Sequence, residues 1–66
     1  MKQFLIKTGA PNWESKVYES NNDNPKDHIQ ENWGIQGGAW CDVFNQDGEQ
    51  IASARCDNGE IFDAEF

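Results

Sequence analysis

Two turn-forming sequences divide the last third of the chain into three short segments. Asp47-Gly48 and Asp57-Asn58-Gly59 are rich in residues that readily adopt a positive φ angle, as tight turns between antiparallel strands require. The segments that they separate, near 39–46, 49–56 and 60–66, are each of strand length. We therefore predict a meander of three antiparallel strands.

The register of the first hairpin follows from matching side chains across the turn. A two-residue turn at Asp47-Gly48 places like residues opposite each other and keeps a small apolar set on one face. The predicted pairs are Ala39 with Cys56, Trp40 with Arg55, Cys41 with Ala54, Asp42 with Ser53, Val43 with Ala52 and Phe44 with Ile51.

The second hairpin can close in two ways. A two-residue Asn58-Gly59 turn would put Asp63 beside Ala54, whereas a three-residue loop beginning at Asp57 puts Phe62 there. We prefer the three-residue loop because it keeps the inner face apolar. That face is then Ala39, Cys41, Val43, Ala52, Ala54, Cys56, Phe62, Ala64 and Phe66, and the outer face carries Trp40, Asp42, Phe44, Ile51, Arg55, Ile61, Asp63 and Glu65.

The first half of the chain predicts a hairpin and one helix. Residues 2–8 and 13–19 have strand-like patterns and are joined by a turn over 9–12. A helix is predicted from Pro25 to about Trp33, with Asn24 as its N-cap and Gly34 as its stop. The chain is therefore predicted to be a single α+β domain over 1–66, of order ββαβββ, with one antiparallel sheet covered by one short helix.

Charge limits the partners that this chain can bind. The 66 residues carry a formal charge of −7, and residues 40–66 hold seven acids against Arg55, a net charge of −6. Nucleic-acid phosphates and anionic lipids call for clustered Lys and Arg, so we expect neither to bind directly. We expect a protein partner with a basic surface instead. Without a long apolar run or a recognisable secretory signal, we expect a cytoplasmic location in a bacterial host.

The residues that could support catalysis or metal binding do not form a recognised pattern. Cys41 and Cys56 are too far apart for a CxxC motif, and we interpret both as reduced core residues. We expect the single histidine, His28, to be a solvated surface residue. The glycines of 34–38 follow a helix and precede a strand, the reverse of a phosphate-binding loop. We therefore expect no enzyme activity, no metal and no cofactor.

The predicted outer face of the meander is the candidate functional surface. Aromatic and charged side chains mixed on one exposed face are typical of protein interfaces. The candidate partner-binding residues are Trp40, Asp42, Phe44, Asp63 and Glu65. Three alternatives stay open: the N-terminal hairpin covers this face, Arg55 stacks on Trp40 in an ordinary cation–π pair, or the face is buried in a homodimer.

In size, acidic charge and order of elements the chain resembles the small phage and mobile-element proteins of the anti-CRISPR type. The resemblance extends over all 66 residues and includes no diagnostic motif. It implies a stoichiometric inhibitor that docks on a CRISPR effector, either in a basic nucleic-acid channel or where it blocks a conformational step. No residue role follows from the resemblance, so the candidate contacts depend on the predicted register alone.

Overall fold

A computed structural model describes residues 3–64. It contains the strands β1 (Phe4–Gly9), β2 (Lys16–Ser20), β3 (Trp40–Phe44), β4 (Gln50–Asp57) and β5 (Glu60–Asp63), and the helix α1 (Pro25–Trp33). The five strands form one antiparallel sheet in the order β2-β1-β3-β4-β5. The predicted α+β fold of order ββαβββ is confirmed. No helix within residues 3–64 has the length and apolar character needed to cross a lipid bilayer.

The helix begins and ends where the sequence predicts. The Asn24 side chain accepts a hydrogen bond from the Lys26 amide at 3.0 Å. Pro25 occupies the first turn, where a backbone N–H would have no hydrogen-bond partner within the helix. Gly34 has a φ of 71° and donates its amide to the Gln30 carbonyl at 3.0 Å. This positive φ favours glycine and ends the helix.

The core lies between α1 and one face of the sheet, which we call the inner face. Ile29 is the fully buried residue of the helix, and it packs among fully buried side chains of three strands: Ile6, Cys41, Val43 and Ala54. The small residues at 39, 41, 54 and 56 allow the helix to lie close to the sheet. The predicted inner-face residues of β3 and β4 are therefore confirmed.

The β3–β4 hairpin has the predicted register over most of its length. Trp40 to Val43 pair with Arg55 to Ala52 as expected, but the register then shifts, and Phe44 pairs with Gln50 instead of Ile51. The connection is longer than the predicted two-residue turn because Asn45 closes it with its own side chain. Its Oδ1 atom accepts hydrogen bonds from the amides of Asp47 and Glu49 at 2.9 and 3.0 Å.

The β4–β5 hairpin closes through the shorter of the two possible turns, so the predicted three-residue loop is wrong. Asn58 and Gly59 have φ angles of 53° and 78°, and this pair of positive angles forms a tight turn that matches the twist of the strands. The tight turn pairs Cys56 with Ile61 and so brings Ile61 against the core. The predicted place of Phe62 on the inner face is therefore wrong, and Ile61 lies there instead.

The one-residue change in register exchanges the two faces of β5. Phe62 pairs with Arg55 on the outer face and is 45% exposed. Asp63 pairs with Ala54 on the inner face, and Ala64 donates its amide to Ser53 rather than lying beside Ala52. The predicted positions of Glu65 and Phe66 lie outside the described residues.

Candidate functional site

The face of the sheet turned away from α1, the outer face, is the candidate site. Its side chains are Leu5, Lys7, Val17, Glu19, Trp40, Asp42, Phe44, Ser53, Arg55 and Phe62. The single helix of residues 3–64 packs on the inner face, so no helix or second sheet of the described chain covers the outer one. The face therefore meets solvent along all five strands.

The N-terminal hairpin extends the outer face and does not cover it. β1 pairs with β3 in the same sheet, with Lys7 opposite Asp42 and Leu5 opposite Phe44. β2 continues this surface to the sheet edge, where Val17 is 61% exposed. The first of the alternatives left open by the sequence is therefore wrong.

Trp40 lies flat on the sheet because the residue beside it is a glycine. Gly9 pairs with Trp40, and a Cβ atom at position 9 would approach Cζ2 of the indole to 2.9 Å. That distance is too short for any side chain to be accommodated without moving the ring. Gly9 therefore makes room for a half-buried aromatic platform in the outer face, a role that sequence reasoning did not assign to it.

Asp42 is held in place by its neighbours on the outer face. Its Oδ1 atom accepts hydrogen bonds from the Ser53 hydroxyl at 2.9 Å and from the Gln50 amide at 3.3 Å. Ser53 is itself buried. The carboxylate therefore has a fixed orientation beside Trp40 and Phe44, and a partner would meet it already aligned.

Phe44 forms the cation–π pair of the outer face. The Lys7 Nζ atom lies 4.9 Å from the centroid of the Phe44 ring, within the range of such interactions. Among the described residues, the alternative in which Arg55 stacks on Trp40 is not observed, and Arg55 lies between Trp40 and Phe62 as their cross-strand partner. Lys7 thus contacts the Phe44 ring, and Arg55 is exposed.

The structure brings together three of the five candidate partner-binding residues. Trp40, Asp42 and Phe44 follow one another along the outer side of β3. Asp63 is on the inner-face side, at the sheet edge, where its Oδ2 atom lies 3.5 Å from Lys26 Nζ. Its predicted place on the outer face is wrong because the register of β5 differs by one residue, and Glu65 lies outside the described residues.

Exposed acidic side chains flank the outer face at two ends. Asp47 and Glu49 belong to the loop before β4, whereas Asp57 and Glu60 adjoin the turn after it. All four are exposed. The acidic half of the sequence is therefore divided between opposite ends of β4 and does not form one patch.

His28 is buried and hydrogen-bonded through both ring nitrogens. It is only 2% exposed, and its Nε2 atom lies 2.8 Å from the Asn22 carbonyl, so Nε2 donates and Nδ1 accepts from the Tyr18 hydroxyl at 2.8 Å. Asn32 Nδ2 donates to the same hydroxyl and to the His28 carbonyl, both at 2.8 Å. The expectation of a solvated histidine is wrong: its ring nitrogens tie α1 to β2.

Cys41 and Cys56 are buried free thiols. Burial and, to a smaller extent, the neighbouring Asp42 carboxylate raise the pKa of the Cys41 thiol to about 12, although a hydrogen bond with Thr8 opposes both effects. A thiol with so high a pKa is almost wholly protonated at neutral pH and is a poor nucleophile or metal ligand. Within residues 3–64, no group of three His, Cys, Asp or Glu side chains converges as a metal site.

We expect stability to fall at alkaline pH because of this buried thiol. The pKa of Cys41 has its ordinary value of 9.0 in the unfolded chain but is about 12 in the folded one. The contribution of this thiol to the free energy of unfolding is therefore complete below pH 9.0 and is lost as pH rises towards 12. Burial also raises the pKa of Tyr18, which acts in the same direction. The urea midpoint should therefore be lower at pH 10.5 than at pH 8.

Alkylation provides an independent test of the same thiol. Iodoacetamide at pH 8 should leave Cys41 unmodified in the folded protein and modify it in urea, as followed by peptide mass spectrometry. Modification of Cys41 at equal rates in both states would contradict the buried, protonated thiol.

The outer face thus combines an exposed Phe62 with the half-buried rings of Trp40 and Phe44, around an Asp42 carboxylate held by Ser53. No protein-family model, curated protein or solved structure matches this chain.

Proposed function

We propose that this chain is a non-enzymatic binding module whose outer face docks on a protein with a basic surface. One observation carries the proposal: a five-stranded sheet has its helix on one side, and the other side carries an exposed Phe62 beside the half-buried rings of Trp40 and Phe44. Aromatic side chains that are already ordered lose little conformational freedom on binding, and they dominate the binding energy of many interfaces.

The charge of the chain supports a basic partner. The formal charge is −7, and the exposed acids at both ends of β4 lie to either side of the aromatic surface. Such a distribution accelerates association with a positively charged protein and repels nucleic acid itself. A protein with a Lys- and Arg-lined nucleic-acid channel has the complementary surface.

Within this class, we propose an inhibitor of a bacterial defence protein, of the anti-CRISPR type. An acidic domain of this size can occupy a basic channel or hold a mobile domain in place without any chemistry of its own. Its action would be stoichiometric, with one chain blocking one effector. Cofactors and metals have no part in this mechanism.

A homodimer is the second candidate function, and the charges of the outer face favour it. Lys7 and Arg55 lie on the same face as Glu19 and Asp42, so two copies could pair with opposite charges in contact. A dimer would give a melting temperature that rises with protein concentration and a concentration-dependent mass in sedimentation. A monomer throughout would exclude this candidate.

Capture in steps of rising salt tests the proposed partner. A tagged chain is incubated with lysate of bacteria that encode CRISPR effectors, and a captured effector is then assayed for guide-directed cleavage with and without the protein. The charge variant D57N/E60Q removes two exposed acids beside Phe62 and should release its partner at lower salt. The matched control D23N/E31Q removes two exposed acids elsewhere and should elute with wild type. Coincident elution of all three proteins would contradict the electrostatic docking.

A further inference from the structure

A second concave surface lies on the helix side of the molecule, away from the outer face. It is a groove of about 630 Å³ between the β1–β2 loop and the C-terminal half of α1. Its walls are formed by Trp13, Glu14, Lys16, Asn32, Trp33 and Gln36. This volume falls within the range of small-molecule sites in proteins.

The walls of the groove are held in place by contacts outside it. The Trp33 indole N–H donates to the Thr8 hydroxyl at 2.9 Å, which fixes the ring against the sheet. On the opposite side, Gln36 Nε2 donates to the Pro11 carbonyl at 3.1 Å and ties the β1–β2 loop to the segment after α1. A groove with walls fixed in this way needs little rearrangement to accept a ligand.

The groove contains a large aromatic side chain that folding leaves exposed to solvent. Trp13 is 64% exposed, although it is among the largest apolar side chains of the chain. Its ring lies 6.5 Å from that of Trp33 and is tilted by 46°, and because Lys16 Nζ lies over the Trp33 ring, the exposed apolar surface of the groove is that of Trp13. A ring-shaped ligand can lie against this surface with one apolar face.

The polar groups around the indoles indicate a neutral ligand rich in hydroxyls. Within residues 3–64, the Glu14 carboxylate, the Trp13 indole N–H and the Gln36 side-chain carbonyl have no hydrogen-bond partner, so both donors and acceptors are available. Glu14 disfavours an anion. A cation is also disfavoured, because Lys16 Nζ already lies 5.1 Å from the Trp33 ring centroid and 3.4 Å from Asn32 Oδ1.

We propose that this groove binds a neutral oligosaccharide. A pyranose ring presents an apolar C–H face to an indole and a rim of hydroxyls that both donate and accept hydrogen bonds. The groove supplies the matching pair of features: the exposed Trp13 ring beside the fixed Trp33, and unpaired groups of both kinds at its edge. This site is separate from the proposed docking surface, and neither depends on the other.

Tryptophan fluorescence with defined saccharides tests the proposal. The probes are cellotriose, maltotriose and chitotriose, each titrated into the intact protein and checked by calorimetry. At least one should shift the emission of the protein and bind saturably. Trp13→Ala, which alters an exposed side chain, should weaken that binding about tenfold or more, whereas Trp13→Phe should retain part of it.

Trp40→Ala is the matched control, because it removes an indole from the opposite side of the sheet. It should leave saccharide affinity unchanged, and circular dichroism confirms that each variant is folded. The proposal is overturned if none of the three probes binds, or if Trp13→Ala binds as tightly as wild type. Binding of a proline-rich peptide without any saccharide would likewise overturn it, since that ligand also uses aromatic grooves.

Discussion

Replacing Ile29 by alanine is expected to lower the free energy of unfolding by about 2–5 kcal/mol, the usual cost of truncating a fully buried isoleucine. Ile29 is completely buried where α1 packs against the sheet. A chain of 66 residues has a total stability of roughly 3–10 kcal/mol at typical values per residue. This single change should therefore leave a large unfolded fraction.

Urea denaturation followed by circular dichroism measures this effect. Gln30→Ala is the matched control, because Gln30 is the next residue of the same helix and its side chain is exposed. Alanine is a good helix former, so the control should shift the midpoint by no more than the equivalent of about 0.5 kcal/mol. Equal midpoints for the two variants would show that the helix does not carry the core.

Replacing Trp40 by alanine is expected to weaken partner binding by roughly 30-fold or more while the domain stays folded. The indole lies flat over Gly9 in the middle of the outer face, where interface residues that exclude water contribute most. Its loss would expose the Gly9 backbone but would leave the core on the inner face intact. The dissociation constant for the captured partner measures the change.

Trp13→Ala controls for the loss of an aromatic side chain as such. It removes the same side chain from the helix side of the molecule and should bind the partner like wild type. If Trp13→Ala weakens partner binding and Trp40→Ala does not, the docking surface has been assigned to the wrong face. The same two variants separate partner docking from saccharide binding, because each proposal predicts a loss for a different one.

The elements that depend on local sequence could be predicted, and those that depend on distant contacts could not. Asn24, Pro25 and Gly34 determine the ends of α1 through bonds within a few residues, so its bounds are predicted correctly. The choice between two turns at 57–59 is different, because the sequence Asp-Asn-Gly permits both. Packing of Ile61 against the core accompanies the tight turn, and local sequence does not reveal that contact.

The candidate site shows the same division. Trp40, Asp42 and Phe44 could be placed on one face because the alternation of β3 is local, but Asp63 could not, since its face depends on the turn before it. The burial of His28 was missed because one of its side-chain partners, Tyr18, lies ten residues away on β2. The platform over Gly9 could not be predicted, because it depends on the pairing of β1 with β3, two strands that are distant in the sequence.

Cross-saturation NMR on the complex with the captured partner would show whether the outer face is the docking surface, because it maps which side of the labelled domain touches the unlabelled protein. Docking through the outer face should give saturation transfer to the outer-face side chains Leu5, Val17, Phe44 and Phe62, with the helix-side residues Ile35 and Trp13 unaffected. Transfer to Ile35 and Trp13 with none to Phe44 would contradict the assignment of the outer face as the docking surface.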